Sequence, residues 1–315
     1  MLLKPVAKWL SPSGASARLS VLIFHRVLPV QDPLFPDEMH ARRFDELCGW
    51  LAQWFNVLPL DSAVAKLKTG SLPARAASIT FDDGYADNFH VAMPILRHHG
   101  LKATFFIATG FLDGGRMWND TVIESIRACS HAAVLDLSSL GLGSHPLGSI
   151  HERQAAIATL LGQIKYRSIK ERIAITGQIA SQAQVHLPHN LMMTSQEVKA
   201  MRLAGMQIGA HTITHPILAR LGAEEALAEI QGSKSFLERL LGERVGLFAY
   251  PNGKPGEDYS PQSVDVVRSL DFDAAVSTAW GTTGATDDPF QIRRFTPWDK
   301  TRLRFGARLL LNLRN

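Results

Sequence analysis

From residue 21 onward, short apolar runs alternate with longer segments whose apolar positions recur every three to four residues. The first pattern predicts strands buried on both faces, the second helices with one buried face. A strand over 21–24 ends at His25, and Phe44, Leu47, Leu51 and Phe55 mark a helix over 44–55. Residues 56–58 form a short strand candidate, followed by a helix over 60–67 with Asp61 as its cap. The strand predicted at 77–81 runs straight into Asp82-Asp83-Gly84. A helix over 88–99 stops at Gly100, and 103–108 is the next strand. Between about 114 and 195 the rhythm lapses into helical patterns (122–128, 152–161, 164–174) with no strand, which predicts a mainly helical insertion at about 115–193. Alternation resumes with a helix over 194–204, a strand over 206–210 leading to His211, a helix over 223–241, and strands at 247–250, 274–277 and 291–295. Repeated strand–helix units imply an α/β fold with a parallel sheet covered by helices. Seven or eight such strands suit a closed or nearly closed barrel, and no Gly-x-Gly-x-x-Gly follows a strand to support a dinucleotide-binding sheet.

The polar residues sit at the ends of these strands. Asp82-Asp83, His211, Tyr250-Pro251-Asn252-Gly253 and Arg293-Arg294 each lie at or just past a strand end. In a parallel barrel those ends converge on one face, where active sites are built. Adjacent carboxylates do not both stay ionised without a cation beside them. His211-Thr-Ile-Thr-His215 spaces two imidazoles at i and i+4, one helical turn apart. Combined with the paired aspartates, this predicts a two-histidine, one-carboxylate site for a divalent metal, with Zn²⁺ the leading candidate and Co²⁺, Ni²⁺, Mn²⁺ or Fe²⁺ also compatible.

Thr80-Phe-Asp-Asp-Gly84 and His211-Thr-Ile-Thr-His-Pro216 resemble the first two motifs of the NodB-type polysaccharide deacetylases, and Phe248-Ala-Tyr-Pro-Asn-Gly253 resembles the third. The resemblance covers roughly residues 20–115 and 190–298. It implies a deformed (β/α) barrel and metal-dependent hydrolysis of an acetamido group on a sugar. Carried over, Asp83, His211 and His215 hold the metal and Asp82 is the general base. The metal supplies an acidified water and a polarised acetyl carbonyl. The backbone N–H of Tyr250 shares in stabilising the oxyanion, with Asn252 beside the substrate.

Two features depart from the family pattern. Phe248 stands where an arginine is common, and no histidine follows His215 to protonate the leaving amine. His25 is the replacement acid in this reading, and Arg294 orients Asp82 or the acetyl group, since arginine keeps its proton near neutral pH. Trp118 and Trp280, each just after a strand, are candidates to stack on a sugar ring. His98 and His99 read as solvated helix-end groups, and His131, His145, His151, His186 and His189 as scattered surface residues of the insertion.

Composition narrows the remaining choices. The chain has 315 residues, 46% apolar and 20% charged, with two cysteines, too few for a disulfide framework. The net charge of +4 is unevenly placed: residues 1–26 and 300–315 hold nine cations and no acid, which leaves 24 bases against 29 acids between 27 and 299. An acidic body with two basic ends argues against a nucleic-acid partner. The organisation expected is a basic segment over 1–20, a barrel over 21–298 with its insertion, and a basic amphipathic segment over 299–315. That last segment reads either as a terminal helix packed on the barrel or as one resting on an anionic membrane surface. Residues 1–10 lack the long apolar core of a secretory signal, so the expected location is the cytoplasm, with the basic ends as candidate contacts to the inner face of the membrane. The function implied is removal of N-acetyl groups from an amino-sugar polysaccharide, oligosaccharide or lipid-linked glycan. A carbohydrate-binding protein without turnover and an amidohydrolase of a small non-sugar amide are the alternatives.

Overall fold

Every residue of the strand Leu19–Phe24 (β1) is buried, as befits a strand covered on both faces. It follows a short helix, Leu3–Leu10 (α1), in a computed structural model that describes residues 3–130 and 133–314. His131 and the first two residues of the basic N-terminal segment lie outside the described residues. Helix Ala41–Trp54 (α2) leads to the two-residue strand Asn56–Val57 (β2). Helix Leu60–Lys68 (α3) precedes a second fully buried strand, Ala76–Phe81 (β3). A π-helical turn over Asn88–Ala92 passes into helix Met93–His98 (α4), and the strand Thr104–Ile107 (β4) follows.

Two local expectations change here. The helix expected over 88–99 opens with a wider turn, because Pro94 at the start of α4 has no N–H to hold a regular one. Asp61 does not cap α3; the helix starts at the buried Leu60 with Pro59 in the cap position, which leaves Asp61 in the first turn, where the helix dipole favours a carboxylate.

Helix Trp118–Ala128 (α5), strands Val134–Asp136 (β5) and Ser144–Pro146 (β6), and helices Ile150–Ile164 (α6) and Ile169–Gln182 (α7) belong to a compact unit of their own, Asp113–Met192 together with Gln31–Glu38. The antiparallel pair β5–β6 corrects the expectation of no strand here: three residues per strand are too few to print an alternating pattern. Segment 31–38 joins this unit through Leu34 in its core and Asp32, whose carboxylate accepts bonds of 3.0 and 2.6 Å from Arg127. His145 is buried rather than at the surface, its ring nitrogen 2.9 Å from the Leu142 carbonyl.

Helix Ser195–Leu203 (α8), opened by a capping box between Thr194 and Glu197, resumes the strand–helix alternation. Strand Gln207–Ala210 (β7), helix Ala223–Leu241 (α9), strand Leu247–Ala249 (β8) and helix Pro261–Ser269 (α10) come next. Strands Ala274–Trp280 (β9) and Ile292–Arg294 (β10) and helix Arg302–Arg314 (α11) complete the chain. The sheet runs β1-β3-β4-β7-β8-β9-β10 with β2 beside β3, and every pairing is parallel. Phe295 brings the two ends of that path together: its N–H donates to Val21 O (2.8 Å) and its carbonyl accepts from Ile23 N–H (3.1 Å). The result is a nearly closed, deformed (β/α) barrel, with Phe24, Phe44, Phe81 and Phe105 packed ring against ring between sheet and helices.

Candidate active site

Asp82 and Asp83 follow β3 directly. The Asp82 N–H donates to Phe24 O (2.9 Å), extending the β1–β3 pairing by one residue. The chain then turns sharply, with Asp83 at φ 77° and Gly84 at φ 91°. Thr212 (φ 64°), His215 (φ 52°) and Asn252 (φ 57°), in the other two motifs, share this left-handed backbone. A non-glycine residue held there costs about 1–3 kcal/mol, which the surroundings must offset.

The expectation of two histidines one helical turn apart is not met. Residues 211–215 form an irregular loop after β7, and its bends bring the two rings to 4.8 Å between centroids. Glu229 on α9 shapes the loop by accepting from Ile213 N–H (2.9 Å), Thr214 N–H (2.9 Å) and the Thr214 hydroxyl (2.6 Å). On its other side the loop rests on Gly110, whose N–H donates to Ile213 O (2.8 Å). A side chain at Gly110 would put a Cβ 2.7 Å from that oxygen. The sequence reading missed Glu229; its only signal is an acid on the helix that follows the motif.

Arg294 ends β10 and is buried beside Asp82. Its two terminal nitrogens donate to the two Asp82 oxygens, each at 2.7 Å, and its Nε donates to Ser277 O (2.8 Å). This is the cation that lets two adjacent aspartates coexist. Burial alone would raise the Asp82 carboxyl, but Arg294 above all, then His211 and His25, bring it below the usual carboxylate range.

Asp83 faces the histidines. Its Oδ1 is buried without a hydrogen bond and stands 3.4 Å from the Nε2 atoms of both His211 and His215. His211 Nδ1 donates to Ala249 O (2.7 Å), so Nε2 is the nitrogen left to face Asp83. Burial opposes ionisation of Asp83, yet the His211 imidazole and the charges of His215 and His25 lower it. Burial also disfavours both imidazolium forms: at His211 the facing aspartates overcome it and raise the group, whereas His215 is pulled down to about 4. An oxygen with no hydrogen bond and two imidazole nitrogens converging on one point make a donor set that fits a divalent cation.

The other expected residues sort by position. His25 is exposed in the loop after β1 and lies close enough for its charge to act on Asp82, Asp83 and His215. That loop is clasped from below: Asn88 Nδ2 donates to His25 O (2.9 Å), and Asp87 accepts from Arg26 (2.8 Å) and Val27 N–H (3.0 Å). Tyr250 does not present its N–H to the site, because that group donates to Val276 O (3.2 Å) as the last bond of the β8–β9 pairing. Its phenol is buried, donates to Phe290 O (3.1 Å) and stacks on Tyr259 at 3.9 Å. Asn252 takes the turn after β8, its carbonyl accepting from the Thr278 hydroxyl (2.8 Å). Trp280 is half exposed at the end of β9, in register with Arg294. Trp118 lies in the other compact unit, where the Arg172 guanidinium sits over its ring at 5.3 Å, so one ring face is already taken. The expectation of solvated helix-end groups fails for His99, whose Nε2 is 2.8 Å from Asp45.

The family model for polysaccharide deacetylase matches residues 69–136 and 146–275, which include all three motifs and most of the barrel. The chain belongs to the polysaccharide deacetylase family. The family's members are hydrolases acting on carbon–nitrogen bonds other than peptide bonds. Among curated proteins, YxkH of Bacillus subtilis (strain 168) is 18% identical over 280 residues, covering 88% of this chain and 71% of YxkH. The fold is similar to that of the Streptococcus pyogenes deacetylase PplD solved in complex with acetate (TM-score 0.62, 18% identity, 94% of this chain and 98% of that one). It is equally similar to IcaB from Ammonifex degensii (TM-score 0.62, 17% identity, 97% and 99% covered).

Proposed function

We propose that this polysaccharide deacetylase is a metal-dependent enzyme that removes acetyl groups from N-acetylated amino sugars in a polymer, an oligosaccharide or a lipid-linked glycan. The observation that carries this reading is the unbonded Asp83 Oδ1, 3.4 Å from two imidazole nitrogens, beside an Asp82 that Arg294 holds ionised. A divalent cation held by Asp83, His211 and His215, Zn²⁺ before Co²⁺, Ni²⁺, Mn²⁺ or Fe²⁺, supplies a polarised acetyl carbonyl and an acidified water.

The two aspartates then divide the work. Asp83 is committed to the cation, and Asp82 takes the proton from the attacking water. Both Asp82 oxygens accept from Arg294, and each keeps a second lone pair for that proton. As the carbon–nitrogen bond breaks, the leaving amine needs a proton. Arg294 keeps its own near neutrality, so His25 at the mouth of the site donates it. Trp280 offers a half-exposed ring for a sugar face.

The test is acetate release from a panel of N-acetylated oligosaccharides, by chelator-treated protein with and without added Zn²⁺ or Co²⁺. Release should depend on the metal and vanish in Asp82→Asn, while His25→Ala should slow it about 10²–10⁴-fold and keep the metal bound. Undiminished release by Asp82→Asn would overturn the assignment of the base. Sugar binding without release across the panel would favour the non-catalytic reading.

A further inference from the structure

The helices at the two ends of the chain, α1 and α11, pack against each other. Gly306 allows the close approach, since a Cβ there would collide with Leu3. Each helix carries two apolar stripes. One stripe is buried: Ala7 on α1, and Phe305, Leu309 and Leu313 on α11. The second stripes, Val6, Trp9 and Leu10 on α1 and Ala307, Leu310 and Leu311 on α11, border an open groove of about 740 Å³. Trp9 is 80% exposed, Leu303 83% and Leu311 53%. Side chains of this size rarely stand so far into water in one patch without a partner.

Charge identifies the partner. Residues 1–26 and 300–315 hold nine cations and no acid. Arg308 is neutralised by Asp299 (2.6 Å), but Lys4, Lys8, Arg304 and Arg314 are exposed and make no ion pair among the described residues. A second copy seated on this patch would bring cations against cations. A phase that is apolar within and negative at its surface matches both features.

We propose that the α1–α11 patch docks on the surface of an anionic lipid bilayer, with Trp9, Leu303 and Leu311 entering the interface and Lys4, Lys8, Arg304 and Arg314 among the headgroups. No helix of the described residues is long and apolar enough to cross a membrane, so the contact is peripheral. Its placement has a consequence for substrate access. Arg18, just before β1, lines the groove, whereas His25 follows the other end of that strand. Six residues of strand span roughly 17 Å. The docked barrel therefore turns its candidate active site away from the lipid, toward glycan in the aqueous phase.

Flotation of the full chain with vesicles tests this independently of catalysis. At about 0.1 M salt, binding is expected to vesicles of phosphatidylcholine with about 30% phosphatidylglycerol and to be much weaker to phosphatidylcholine alone. Trp9→Ser with Leu303→Ser should reduce the partition at least about tenfold. Lys4→Glu with Lys8→Glu should reduce it further than added salt does, each lost cation weighing about fivefold. These side chains are exposed, so thermal unfolding should be unchanged and a loss of binding is not a loss of fold. Equal binding to both vesicle types, no binding to either, or binding that survives all four substitutions would overturn the proposal. So would self-association in sedimentation that Trp9→Ser abolishes, which would assign the patch to a second copy.

Discussion

Arg294 and Asp82, 212 positions apart in the chain, meet in a two-pronged ion pair with both contacts at 2.7 Å and almost no solvent access to either side chain. A buried pair of this kind adds little stability over an apolar replacement, but breaking it strands a charge. Arg294→Met should cost about 3–5 kcal/mol in urea unfolding and raise the Asp82 carboxyl. The double variant Arg294→Met, Asp82→Asn should recover most of that loss, because no charge is left unpaired. Additive single effects would show that the two side chains do not act as a unit.

Glu229 holds the loop between the two histidines through three hydrogen bonds. Glu229→Ala should weaken Zn²⁺ binding about 10–100-fold by calorimetry, the usual effect of losing a group that orients ligands. The accompanying loss of global stability should stay near 1–3 kcal/mol. Unchanged affinity would mean that the Gly110 side of the loop orders it alone.

Binding of a cation to Asp83, His211 and His215 in the folded state should stabilise the protein. Zn²⁺ at about 100 times its dissociation constant is expected to add about 2.7 kcal/mol, and chelation to remove it. His215→Ala should abolish this increment in thermal-shift measurements. An increment retained by His215→Ala would place the ion elsewhere, with the cluster of Asp45, His98 and the partly buried His99 as the first alternative.

Asp87 behaves oppositely to the aspartates of the motif. Burial raises its carboxyl above 3.8, outweighing Arg26 and the Val27 N–H. The folded protein thus holds this proton more tightly than the unfolded chain does. Its stabilising contribution is complete below about pH 3.8 and is lost as pH rises through the higher folded value. Over that window the parent should lose more stability with rising pH than Asp87→Asn, as read by denaturant midpoints. Parallel pH profiles would count against a raised Asp87.

Much of this site is legible in the amino-acid sequence. The buried runs 19–24 and 76–81 carry their strand signal locally, and the paired aspartates and two histidines mark the ends of β3 and β7. The expected roles of Tyr250 and Trp118 rest on side-chain identity alone. Whether the Tyr250 N–H is open depends on Val276, 26 residues away, and the Trp118 ring on Arg172, 54 residues away. The short strands β5 and β6 were illegible because three residues cannot display a period.

The sequence by itself determined the alternation of strands and helices, the nearly closed parallel barrel, the family and the residue types at its strand ends. These follow from local burial patterns and contiguous motifs, which the order of residues contains. Tertiary structure alone decided how those residues are used. It turned the His211–His215 spacing into a strained loop shaped by Glu229 instead of a helical turn. It placed Arg294 on Asp82 and left one oxygen of Asp83 without a hydrogen bond. It also joined two distant basic helices into one apolar groove. Each of these depends on which side chains become neighbours once the barrel closes, and burial makes their charges and hydrogen bonds count for more than they would in water.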